Sequence, residues 1–121
     1  MQISTNNDTE SILNSVKKML GLAVDYNPFD SDIIMHINSV FANLAQMGVS
    51  PNDEGFSITD SSTKWSEFTE DNALLANVKS YMYLKVRLLF DPPSSSYVLE
   101  SFNRQISEFE WRMYVQKGGY K

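Results

Sequence analysis

Few residues of this chain are equipped for chemistry. His36 is its only histidine and there is no cysteine, which excludes thiol catalysis, a zinc knuckle and a disulfide framework. His36 falls at the edge of an apolar helical face with no second histidine to complete a metal site, and it reads as a half-buried or surface side chain. Among 15 acidic residues some carboxylates must be neighbours, but their positions argue for structure rather than acid–base work. Asp30 and Asp32 stand where a helix begins, and Glu67, Glu70 and Asp71 precede another. Negative charge there complements the helix dipole. Glu108 and Glu110 point to different faces of a further helix. No glycine-rich phosphate loop, G-x-S-x-G elbow or H-E-x-x-H pair is present. The residues name no catalytic group, no metal ligands and no cofactor.

The elements that would position any site are helical. With 121 residues, of which 42% are hydrophobic, the chain is one domain's worth and can fill a core. The spacing predicts an all-α fold, a small bundle of about four helices. A first helix opens at Asp8 as cap, carries Ile12, Leu13, Val16, Met19 and Leu20, and stops at Gly21. Its stripe is narrow, so it is expected to lie on the surface. A second starts at Asp30, Ser31 and Asp32, which offer capping oxygens, and forms an apolar face of Ile33, Ile34, Ile37, Val40, Phe41, Leu44 and Met47 before Gly48. An ordered insert comes next, with a turn at PNDEG, a short strand or extended segment at FSIT and a single helical turn at TKWSEF. Trp65 and Phe68 pin it to the body.

The third long helix, from about Asn72 to Phe90, is apolar around most of its circumference and must pack on two sides. It ends in LLFDPP. Pro92 and Pro93 lack amide hydrogens and force a stop at Phe90 and Asp91, and Ser94, Ser95 and Ser96 supply caps for the next helix. The four residues Phe90 to Pro93 therefore form a structural corner. The fourth long helix runs from about Tyr97 to Gln116. Val98, Leu99, Phe102, Ile106, Phe109 and Met113 make its seam, and Glu100, Arg104, Glu108 and Arg112 make an opposite charged ladder.

Tyr97 and Trp111 lie on the ladder side, where two aromatics need covering. With Arg104, Arg112, Lys85 and Tyr120 they are the candidate subunit or partner interface. Lys85 sits within the apolar belt of the third long helix. It either snorkels or pairs with a carboxylate across an interface, whereas Arg87 points away and is expected to be exposed. Residues 1–7 are expected to be flexible, and QKGGYK is too glycine-rich to stay helical, which predicts a mobile tail over 117–121. The polar, acidic start carries no secretory signal, and no apolar run approaches the ~20 residues that span a bilayer. A net charge of −5 argues against binding nucleic acid through a basic surface.

SILNSVKKMLGL, DIIMHINSVFANLAQMGV, GFSITD with a nearby tryptophan, YLKVRLLFDPP and a closing EFEWRMYV together resemble the head-tail connector proteins of tailed bacteriophages, also called head-completion or adaptor proteins. The resemblance spans roughly residues 10 to 116, and LLFDPP is its most specific piece. It implies a structural virion protein without catalytic residues. It implies a ring of about twelve copies beneath the portal protein at the capsid vertex, in the virion after assembly in the host cytoplasm. Such a ring extends the DNA channel and offers a platform to a stopper or tail-completion protein. Genomic DNA would pass through without sequence-specific binding, helped by a ring charge of about −60, twelve times −5. The tail from Gln116 would order against the portal. A small helical partner-binding module of a bacterial cell is the alternative, and a DNA-packaging factor is disfavoured by the acidic balance.

Overall fold

The computed structural model describes residues 10–117. Five helices run in order: α1 (Ile12–Met19), α2 (Asp30–Gln46), α3 (Trp65–Phe68), α4 (Asn72–Phe90) and α5 (Ser96–Gln116). No strand is present among the described residues. The expected all-α bundle is therefore observed, the one-turn α3 being the helical turn foreseen at TKWSEF. The N-terminal residues 1–7 and the tail from residue 118, Tyr120 included, lie outside the described residues. Gln116 still belongs to α5, and Lys117 caps it by donating its amide to the Met113 carbonyl at 3.0 Å.

Helix α4 is the middle layer. It packs against α2 on one side and α5 on the other, and α1 meets both α2 and α4. Leu74, Leu75, Val78, Tyr81, Met82, Leu84 and Val86 are all buried, which is why its apolar belt is so wide. Removing such side chains from water is worth roughly 1.5–3 kcal/mol each. The Asp71 carboxylate starts α4 by accepting from the amides of Ala73 and Leu74 at 3.1 and 3.2 Å. On the α5 side, Tyr83 packs on Phe102 with ring centroids 6.2 Å apart. Asn77 donates to Gln116 at 3.0 Å, and the Tyr81 hydroxyl donates to Glu110 at 2.9 Å. Ile106 and Met113 are buried, but Val98, expected in the seam, is exposed at the start of the helix. Here α5 has only just left the corner and has not yet closed on α4.

Two helix starts differ from expectation. Asp8 lies outside the described residues, and α1 is capped by Ser11, whose hydroxyl accepts from the Asn14 amide at 3.2 Å. Helix α2 has no side-chain cap at its N-cap residue, Phe29; Asp30 turns instead toward α1. The reason is Lys17. It is 1% exposed, so α1 is no surface helix: its inner face, with Ile12, Leu13 and Val16, is fully part of the core. The Lys17 ammonium donates to the Val24 carbonyl at 2.8 Å and to Asn27 Oδ1 at 3.4 Å, and lies 2.8 Å from the Asp30 carboxylate. Two of the three ammonium donors are hydrogen-bonded, and the Asp30 carboxylate offsets the charge as an ion pair, its buried Oδ1 accepting no aligned hydrogen bond. Gly21, at φ +84°, lets the chain turn out of α1 to reach this site.

The insert between α2 and α4 is ordered by side chains rather than by a sheet. The Asn38 amide reaches from α2 to the backbone of Ile58, donating to its carbonyl at 2.9 Å and accepting from its N–H at 2.8 Å. FSIT is thus extended but pairs with one side chain instead of a strand. Phe41 lies beneath Phe56 and Phe68 at 5.0 and 5.1 Å between ring centroids. Trp65 is fully buried, and its indole N–H donates to the Ser15 hydroxyl at 3.0 Å. The Ile12 amide donates to the Thr63 carbonyl and the Trp65 amide to the Glu10 carbonyl. Two backbone bonds therefore tie the insert to the entry of α1.

Two measurements check this packing. Lys17→Met leaves the Val24 carbonyl and the partly exposed Asp30 carboxylate without their cation, and is expected to cost about 2 to 3 kcal/mol in denaturant unfolding; a change within about 0.5 kcal/mol, as for an ordinary surface site, would refute the anchoring role. Burial and the Glu110 carboxylate hold the Tyr81 hydroxyl protonated well above the usual tyrosine range. The unfolded chain releases that proton near pH 10 while the folded chain keeps it, so stability declines as pH rises past about 10. Tyr81→Phe should flatten the decline in urea midpoint over that range, and an unchanged slope would show that Tyr81 does not contribute to it.

Candidate assembly interface

Helix α5 presents its outer face to solvent because its inner positions are spent on α4. Trp111 is five residues after Ile106 and two before Met113, which at 100° per residue turns it away from both. Tyr97, Arg104 and Trp111 recur every seven residues along the same side, with Glu100, Glu108 and Val115 beside them. All six are exposed. Tyr97 is 79% exposed and Trp111 51%, yet they stand about 21 Å apart along the axis. They share a face, not a single patch.

Around Trp111 the surface is better developed. Its ring packs on Tyr114 at 5.9 Å between centroids, and Val115 is half exposed. Arg112 lies over the Phe109 ring at 5.1 Å and 3.8 Å from the Glu108 carboxylate. That is the one rung of the expected Glu100–Arg104–Glu108–Arg112 ladder that closes among the described residues. Exposed pairs of this kind contribute little, so Glu100 and Arg104 remain available at the surface.

Two prolines mark the corner in the sequence, but an arginine completes it. Asp91 has left helical geometry, with φ −152° and ψ 73°, and its amide still donates to the Arg87 carbonyl at 2.9 Å. The Arg87 guanidinium donates back to the Asp91 carbonyl and to the Tyr83 hydroxyl. Arg87 is therefore half-buried and engaged, not exposed as expected. Ser95 caps α5 by accepting from the Val98 amide at 3.3 Å. Phe90 meets Phe29 edge-on at 5.3 Å, and Phe29 packs on Tyr26 at 5.9 Å. The corner is braced by the α1–α2 loop, which Lys17 fixes from its other side.

Lys85 is far from the α5 outer face. It is half-buried, with its ammonium 5.7 Å from the centre of the Tyr81 ring, and no carboxylate pairs with it among the described residues. Its stem lines a groove of about 370 Å³ between α2 and α4, with Met35, His36, Leu88 and Leu89. His36 is half-buried there. A second depression, of about 410 Å³, lies where α1, α4 and α5 meet, walled by Met19, Tyr83, Leu84 and Phe109. The structure thus separates the predicted interface residues into an α5 face and an α2/α4 groove, with Tyr120 outside the described residues. It adds Tyr114, Met35 and Leu89, whose only signal in the sequence was an apolar residue on the side of a helix away from its seam.

Among the described residues no group of three or more His, Asp or Glu side chains could hold a metal ion, and no helix is long and apolar enough to cross a membrane. What the surface offers is apolar area edged by charge, which suits protein contacts. No curated protein and no solved structure matches the chain. One protein family does: the family described as phage connector protein matches residues 12–120. The match begins at the first residue of α1 and takes in every helix, so the whole arrangement, and not one motif within it, is shared. The chain belongs to the phage connector protein family.

Proposed function

We propose that the protein is a structural ring subunit. Copies docked beneath the portal at the capsid vertex would lengthen the DNA channel and carry the stopper or tail-completion protein. The observation that carries this reading is the family match over nearly the whole chain, residues 12–120. Its physical support is a body built to hold its shape. The corner is fixed by Pro92, Pro93 and Arg87, α4 is buried on both sides, and the insert is tied down at Asn38, Phe41 and Ser15. Rigid subunits lose little conformational freedom on association. The exposed aromatics of α5 supply contact area, and the role is one of assembly rather than catalysis.

Charge bears on the passage of DNA. Between Ser50 and Asp71 stand Asp53, Glu54, Asp60, Glu67, Glu70 and Asp71 against the single cation Lys64. That segment alone carries the chain's net charge of −5. A ring that turned the insert inward would line its channel with negative charge, and duplex DNA would pass without adhering. A solved ring with lysines and arginines on the inner wall would contradict this orientation.

The decisive measurement is the mass of the purified protein by light scattering, alone and mixed with the portal protein of its own phage. A closed ring of several copies, free or on the portal, is expected. A monomer in both conditions would overturn the ring and leave a helical module that binds one partner singly. Deleting residues 118–121, which leaves the Asn77–Gln116 bond and the Lys117 cap of α5 in place, should weaken portal docking with the fold intact; unchanged docking would exclude these residues as a portal contact.

A further inference from the structure

Two of the described surfaces, the outer face of α5 and the groove between α2 and α4, differ in shape and in charge, and the difference points to an occupant. One is convex: the outer face of α5, where Tyr97, Glu100, Arg104, Glu108, Trp111 and Val115 succeed one another at steps of three or four residues. Tyr97, Trp111 and Val115 are the apolar anchors such a helix would lay into a groove, with charged residues between them. The other is concave: the groove between α2 and α4, floored by Leu88, rimmed by Met35 and Leu89 at 59% and 53% exposure, and carrying Lys85 as its cation. The convex face brings carboxylates, Glu100 and Glu108, along the same side as its aromatic anchor. The concave face has an ammonium in apolar surroundings that pairs with no carboxylate among the described residues. The groove lacks the carboxylate that Glu100 and Glu108 carry, although Arg104 and Arg112 leave the α5 face mixed in charge.

We infer that α5 of one copy docks into the α2/α4 groove of the next, with Trp111 against Met35, Leu88 and Leu89 and a glutamate of α5 on Lys85. The inference rests on the ring reading above and gives it a contact. Because groove and ridge are different parts of one chain, the contact is heterologous: every copy uses its ridge on one neighbour and its groove on the other. Contacts of that kind close into rings or continue as filaments, whereas a ridge meeting an identical ridge would stop at a dimer. A buried Trp surrounded by charge is also the usual anchor of such an interface. The corner gives α5 a fixed departure angle from α4, so the ridge meets its neighbour at a constant inclination.

The absence of cysteine makes the test direct. Ser39→Cys, in the groove, and Ser107→Cys, one turn before Trp111 on α5, are changes at exposed positions that leave the anchors in place; the two chains are mixed at equal concentration with and without portal protein and treated with a short bis-maleimide. Asp53→Cys, on the exposed insert, serves as the control. Unlike pairs of Ser39→Cys with Ser107→Cys should dominate over like pairs at least about tenfold, and the chain carrying both changes should give a ladder of multimers. Dominant like pairs, or unlike pairs no more frequent than those with the control, would overturn the contact. The portal complex is scored separately on the unmodified chain. A ring on the portal without the unlike cross-link refutes only this interface. The cross-link in a chain that never joins the portal refutes the placement in the virion and leaves the interface standing.

Discussion

The arrangement turns on one buried ammonium. Lys17 sits where α1, the loop after it and the first turn of α2 converge, and its three partners belong to three different positions in the chain. A buried ammonium is tolerated where hydrogen bonds and an opposite charge offset its desolvation, so the loop must bring Val24, Asn27 and Asp30 to within reach at once. Phe29, next to Asp30, then stands against Phe90, although 39% of it stays exposed. The constraint passes through Phe29 to Phe90 and hence to the corner from which α5 departs.

The rest is built outward from α4. Its α2 side holds the core, and through Asn38 and Phe41 that core holds the insert. Its α5 side is joined by fewer buried residues and by polar bonds between Tyr81 and Glu110 and between Asn77 and Gln116. The consequence is an asymmetric molecule. On one flank an acid-rich insert is clamped to the body, and on the other a long helix is held along one seam with its remaining circumference in water.

Local signals were legible where the chain itself enforces them. Helix α4 spans Asn72 to Phe90, as its sequence signals indicate, because the Asp71 carboxylate can cap only a helix that starts just after it and Pro92 and Pro93 can end only a helix that runs up to them. The outward position of Tyr97 and Trp111 likewise comes from 100° steps against the seam. What was not legible depends on distant pieces meeting. Lys17 stands four residues after Leu13, one step beyond the apolar stripe, and nothing in that spacing announces that a carbonyl from a loop will cover it. Asn38 looks like an ordinary polar residue until Ile58, twenty positions on, arrives beside it. Lys85 was conspicuous in the belt of α4, but its position at the edge of a groove depends on how α2 packs against α4, which periodicity does not encode. For the same reason the α5 face was visible in the sequence and the groove was not.

The burial of Lys17 also gives the chain an internal reporter. An amine is nucleophilic only when it is deprotonated and reachable, and this one is neither free of its partners nor accessible while α1 is docked. An acylating reagent would modify exposed lysines such as Lys18, Lys64 and Lys117 in folded molecules and reach Lys17 only in those that have opened. Its rate of modification would therefore count the excursions of the whole body, read by mass from a single site.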